Sequence, residues 1–107
     1  MLYEMRCYEA MPGKMGALNR RFKDHTHQLF IKHGFCVVGY WNTLVGDSSK
    51  LYYLLGWQDM AERGEKFAAF GSDPDWHKAR DESEREGGLV ANIHNEIWQP
   101  TAYSPMQ

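Results

Sequence analysis

The chain has only two cysteines, Cys7 and Cys36, among its 107 residues, too few for the disulfide framework of a small secreted domain. They fall in segments that read as strands one and two, with strand three placed between them in the simplest sheet. Two strand spacings are ~9.6 Å, and a disulfide needs alpha carbons within ~7 Å, so both are expected to be reduced. There is no Cys-x-x-Cys. No two histidines stand three or four apart, and His25 and His27, two apart, leave a helix on different faces, so no metal site is expected. No apolar run approaches the ~20 residues that span a bilayer. No basic stretch followed by an apolar block opens the chain, so it carries no secretory signal and the expected location is the cytoplasm. Positive charge is also scarce. Twelve Lys and Arg against 14 Asp and Glu give a net charge of −2, which offers nucleic acid no basic stripe. The glycines are scattered, with no phosphate-cradling loop, and neither cysteine sits in an activated context for nucleophilic chemistry.

Aromatic residues, by contrast, are abundant: four Trp, six Tyr and five Phe. A chain of this size makes one domain, residues 1–107, that buries about two-thirds of its unfolded surface. The first strand runs from Leu2 to Ala10 and closes at Met11-Pro12-Gly13. A helix is predicted over Lys14 to Lys32, with the stripe Met15, Leu18, Phe22, Leu29 inward and Thr26 and Phe30 at its margin; Gly34 stops it. Phe35 to Val45 reads as a strand with Phe35, Val37 and Trp41 on one face. Gly46 to Ser49 turns it into a return strand, Leu51 to Trp57, apolar on both faces. Asp59 with Glu62 forms a capping box for a second helix that buries Phe67 and Phe70. Asp73-Pro74 starts a third helix, whose charged end, residues 80–86, reads as a solvated face. The last strand covers Leu89 to Trp98, and residues 98–107 form an extended tail.

This order predicts an α+β fold: a ferredoxin-like βαββαβ unit with a four-stranded antiparallel sheet, strands one and three central, and the helices on one side. Alternation groups Tyr3, Met5 and Cys7 on one face of strand one, the expected core face, and Glu4, Arg6 and Tyr8 on the other. The last strand likewise places His94 and Glu96 together. Glu4, Arg6, His94 and Glu96 are therefore expected to cluster on the uncovered face, either as an interface network or as a site in which Arg6 binds an anion. Large apolar side chains on that face, Trp41 or Tyr40 and Trp57 or Tyr52, would be an aggregation hazard in a monomer, so a homodimer is expected.

Leu2 to Tyr8, Pro12-Gly13-Lys14, His25-Thr26, Lys32-His33-Gly34-Phe35, Gly39-Tyr40-Trp41, Asp73-Pro74-Asp75-Trp76 and Pro100 together resemble the NIPSNAP family over nearly the whole chain. The resemblance implies a unit that pairs into a dimeric α+β barrel. It carries no assigned chemistry, although cofactor-independent oxygenases, haem-degrading enzymes and lactone isomerases share the superfamily. Two functions follow as expectations. One is a homodimeric module that binds a small hydrophobic or anionic ligand or a partner, with Glu4, Arg6, Glu96, Trp41 and Trp57 as the contact residues. The other is a monooxygenase or isomerase of a small aromatic or keto substrate working without a cofactor, with His25 or His94 as base and Tyr8 as hydrogen-bond donor. Haem ligation through His25 is a third. His33, in the last helical turn, is read as a capping residue.

Overall fold

Apolar alternation and two side-chain caps account for most of the architecture. The computed structural model describes residues 1–107. It contains β1 (Leu2–Ala10), α1 (Met15–Arg21), a π-helical turn (Phe22–Thr26), α2 (His27–Lys32), β2 (Cys36–Asn42), β3 (Lys50–Trp57), α3 (Met60–Gly71), α4 (Pro74–Ser83) and β4 (Val90–Trp98). The sheet is antiparallel in the order β2-β3-β1-β4, as the connection rules require. Asp59 accepts from the Glu62 amide at 2.8 Å to cap α3, and Glu62 returns a bond from the Gln58 amide. Asp73 caps α4 from the Asp75 amide, with Pro74 in the first turn. No helix is long and apolar enough to cross a membrane.

Two single-residue irregularities set which side chains face inward. In a regular helix the stripe through Leu18 and Phe22 would continue to His25 and Leu29. The π turn, in which the His27 amide bonds to the Phe22 carbonyl, accommodates one extra residue. Beyond it Thr26 and Phe30 point inward, and His25 turns out to solvent. Phe30, expected at the margin, sits at the centre of the core, stacked on Phe35 at 4.5 Å. In β2 a bulge lies between Val37 and Gly39, so the face read as Phe35, Val37 and Trp41 is split. Val37 pairs with Leu55, and after the bulge Tyr40 takes the inward position opposite Tyr53, while Trp41 points away with 49 % of its surface exposed. Gly39 permits this, since a Cβ there would stand 2.9 Å from the Trp41 ring. The strand also stops at Asn42, and Leu44 and Val45 lie exposed in the turn.

The core lies between sheet and helices: Leu18, Phe22, Leu29, Phe30, Phe35, Leu51, Tyr53, Leu55, Trp57 and Phe70, with Ala10 and Leu89 at its edge. Each fully buried side chain of this size contributes about 1.5–3 kcal/mol of transfer free energy. The opposite face of the sheet carries no helix. There the C-terminal tail folds back over one end, where Tyr3 Oη donates to the Gln107 carbonyl at 2.8 Å.

Candidate functional site

The face of β1 that bears Glu4, Arg6 and Tyr8 is the one under the helices, which reverses the sequence expectation. Register shows why. Glu4, Arg6 and Tyr8 stand beside Leu55, Tyr53 and Leu51 of β3, the inward row of the central strand. Tyr3, Met5 and Cys7 stand beside Gly56, Leu54 and Tyr52 on the open face.

Glu4 is fully buried (0 % exposed), which requires that its charge be paired. Five donors surround it. Arg63 reaches it twice, Nε to Oε1 at 2.8 Å and Nη2 to Oε2 at 2.9 Å. Arg6 Nη1, Asn95 Nδ2 and Trp57 Nε1 donate at 3.0, 2.9 and 3.1 Å. Burial pushes the Glu4 carboxyl up, but the bonds from Arg63, Asn95 and Trp57 and the charge of Arg6 outweigh it and bring its pKa down to about 2. Arg6 continues the network: Nε donates to Tyr53 Oη at 2.7 Å and Nη2 to Tyr8 Oη at 3.4 Å. Tyr53 Oη lies 3.0 Å from Tyr8 Oη and donates to it. Burial holds the Tyr53 phenol well above the usual tyrosine value. The same burial disfavours charge on Arg6, but the two phenols more than compensate and its pKa is raised.

The pKa of Glu4 predicts an acid transition. Because it is depressed in the folded protein, its stabilisation is complete above about pH 4.5 and is lost as pH falls toward 2. The full conversion at 1.36 kcal/mol per unit is about 3 kcal/mol; solvent screening at the rim, where Arg63 is partly exposed, brings this nearer to about 2 kcal/mol. Urea unfolding of wild type between pH 5 and 2.5 should show that loss, and a Glu4→Gln chain should show a flatter profile.

The donor chain ends at a cleft. Tyr8, Phe22, Phe30, Phe67, Phe70 and Trp76 supply the aromatic half of the lining of a pocket of about 190 Å³ between helices and sheet, and Arg21, Thr26, Arg80, Glu84, Val90 and Ile93 supply the rest. Tyr8 Oη accepts from both Arg6 and Tyr53 and has no acceptor of its own in the protein. Tyr8 is itself one of the residues that line the cleft. Asp73 ties α4, which carries Trp76 and Arg80, to the end of α2: Lys32 Nζ and His33 Nε2 lie 2.8 and 2.7 Å from Asp73 Oδ2. Those two bonds, Lys32 first, hold the Asp73 carboxyl below the usual carboxylate range. His33 thus bridges two helices, a role its position in the last turn did not reveal.

The other expected site residues lie elsewhere. His94 and Glu96 are opposite Cys7 and Met5 on the open face, so the four-residue cluster with Glu4 and Arg6 is divided between the two faces of the sheet. Glu96 there accepts from Trp98 Nε1 at 2.9 Å. Trp57 is buried as a Glu4 donor, and Trp41 lies on the open face. His25 lies outside the cleft, in shallow surface grooves beside Asp24 and Gln28. Sequence reasoning placed Thr26 at the margin of the helical stripe and Tyr53 on the return strand, but did not single out Arg63, Asn95 or Arg21. The clue for Tyr53 was its place in the apolar row Leu51, Tyr53, Leu55, Trp57; for Arg63 and Asn95 no local signal exists.

The NIPSNAP family model matches residues 3–105. Among solved structures, Atu4242 from Agrobacterium tumefaciens superposes with a TM-score of 0.87 at 24 % identity over 100 % of both chains. An uncharacterized NIPSNAP-like domain protein from Burkholderia xenovorans superposes with a TM-score of 0.85 at 21 % identity, over 97 % of this chain and 88 % of that one. A protein provisionally named an antibiotic biosynthesis monooxygenase, from Nitrosomonas europaea, shares the fold with a TM-score of 0.65 at 12 % identity, over 94 % and 98 %. No curated protein matches the chain.

Proposed function

The chain belongs to the NIPSNAP family, and on that footing we propose that it is a homodimeric protein that binds a small one-ring ligand in the cleft between its helices and sheet. The observation that carries this reading is the aromatic cleft whose lining includes Tyr8, the end of the Arg6–Tyr53–Tyr8 hydrogen-bond chain. Concave, mainly apolar sites with a few converging polar groups are where small molecules bind. A cavity of ~150 Å³ lined by apolar side chains already admits benzene, so about 190 Å³ suits one ring with a short substituent.

Homodimerisation is supported by shape and exposure. The molecule measures 46 × 36 × 19 Å and has a radius of gyration of 14.5 Å, against about 13 Å for a compact chain of this length. It is flat, with a smallest extent of 19 Å. The open face presents Trp41 and Trp98, each more than 40 % exposed, beside Met5, Cys7, Tyr52 and Leu54. A second copy on this face would cover what water should not see. Two free, unbridged cysteines on separate strands agree with a reducing compartment such as the cytoplasm.

The reading is tested by titrating the full chain with toluene and acetophenone under NMR observation. Both should shift the resonances of Trp76 and Phe30, and Val90→Trp, which fills the cleft, should weaken binding at least about tenfold, equivalent to 1.4 kcal/mol. Unchanged binding in Val90→Trp would move the ligand elsewhere. An isomerase is favoured by one observation: Tyr8, whose hydroxyl has no acceptor in the protein, and Glu84, the one carboxylate of the lining, border the same cleft. Exchange of the acetophenone methyl protons with deuterium, lost in Tyr8→Phe, would decide for the enzyme.

A further inference from the structure

We propose that Arg21 and Thr26 form a carboxylate subsite at the edge of the cleft, so that the ligand is a one-ring aromatic acid. The proposal rests on the cleft being a ligand site. Arg21 Nε and Thr26 Oγ1 are the two buried side-chain polar atoms in the protein without a hydrogen-bond partner. Their residues are 5 % and 3 % exposed, and both line the cleft. Native interiors rarely leave such groups unpaired without a reason.

Backbone geometry brings them together. Five residues apart, Arg21 and Thr26 would diverge on an α-helix. The π turn between them closes i to i+5 bonds and returns residue i+5 close to the direction of residue i. The extra residue that sent His25 outward is therefore what aims Thr26 inward beside Arg21.

The chemistry selects an anion. The Arg21 guanidinium is already oriented: it packs over the Trp76 ring at 5.3 Å, and Nη1 bonds to Ser83 Oγ and Glu84 Oε1, each at 3.3 Å. Nε–H is left over. Thr26 contributes a hydroxyl, and Tyr8 a third proton. Arg21 Nε–H can only donate, and the two hydroxyls can donate as well, so a group that accepts satisfies all three. Arg21 and Arg80 outnumber Glu84 among the charges of the lining. A carboxylate meets these conditions, taking Nε–H on one oxygen and the threonine hydroxyl on the other, with its ring among Phe22, Phe30, Phe70 and Trp76. A neutral amide offers one oxygen and no charge.

Benzoate, benzamide and toluene are titrated into the full chain, by calorimetry and by NMR of the tryptophan Nε–H resonances. Benzoate should bind at least tenfold more tightly than either neutral probe and should shift Trp76. Arg21→Gln should weaken benzoate most, but it removes the partner of Glu84 from a buried position and could unfold the chain. Thr26→Val avoids that difficulty, since its hydroxyl has no partner to lose. It should leave the apo melting temperature unchanged or higher, weaken benzoate about tenfold and leave toluene unaffected. Equal affinities for benzoate and toluene, or a Thr26→Val chain that holds benzoate as well as wild type, overturn the carboxylate subsite while the cleft keeps its ring. If none of the three probes shifts Trp76, the subsite and the ligand-binding reading both fall.

Discussion

Glu4→Leu should destabilise the protein by about 3–5 kcal/mol, the cost of removing one partner from a buried charge network. Four groups lose their acceptor at once: Arg63, Arg6, Asn95 and Trp57. Arg6 suffers most, because it is largely enclosed among Tyr8, Tyr53 and Phe67, with its guanidinium 5.0 Å from the Phe67 ring. At roughly 4–8 °C per kcal/mol for a domain of this size, the melting temperature should fall by more than about 12 °C. Glu96→Gln is the comparison. Glu96 is exposed on the open face and bonds only to Trp98, so its loss should fall within about 0.5 kcal/mol. Thermal and urea unfolding of the two variants would test the assignment. If they melt together, Glu4 does not organise the core.

Leu54→Asp should turn the proposed homodimer into a monomer. Leu54 sits on the open face of central strand β3, between Met5 of β1 and Gly39 of β2, and is half-buried even in the single chain. A second copy on this face would enclose the new carboxylate with no counter-charge, at a cost of several kcal/mol. Two-fold symmetry imposes that cost twice, so the dimer Kd should rise by more than about 100-fold. The monomer itself should keep its fold, because that face is open to water in the single chain, and circular dichroism should be unchanged. Sedimentation equilibrium at micromolar concentration measures both chains. A wild-type chain that sediments as a monomer ends the homodimer proposal, and a Leu54→Asp chain that stays dimeric moves the interface to another surface.

The order and direction of the strands, the helix starts at Asp59 and Asp73, and the reversals at Gly34 and Gly46 were legible in local patterns, because caps, turns and alternation act within a few residues. The sheet order followed from connection rules that need no side-chain detail. Site residues were another matter. Alternation showed that Glu4, Arg6 and Tyr8 share a face, and charge argued that this face should be open. The protein buries it, since Arg63 from α3, Asn95 from β4 and Trp57 from β3 converge on Glu4 and make a buried carboxylate tolerable. No window of sequence contains that set.

What the amino-acid order determined alone was a NIPSNAP chain with a four-stranded antiparallel layer and helices on one side, since periodicity, capping and chain connectivity are local or topological constraints. Only the tertiary structure decided which side of each strand the helices cover, and which helical residues look into the core. One extra residue in the π turn exchanged His25 for Thr26, and one in the β2 bulge exchanged Trp41 for Tyr40. Such an insertion rotates every side chain beyond it, and it persists because packing across the whole layer, not the residues beside it, makes it favourable.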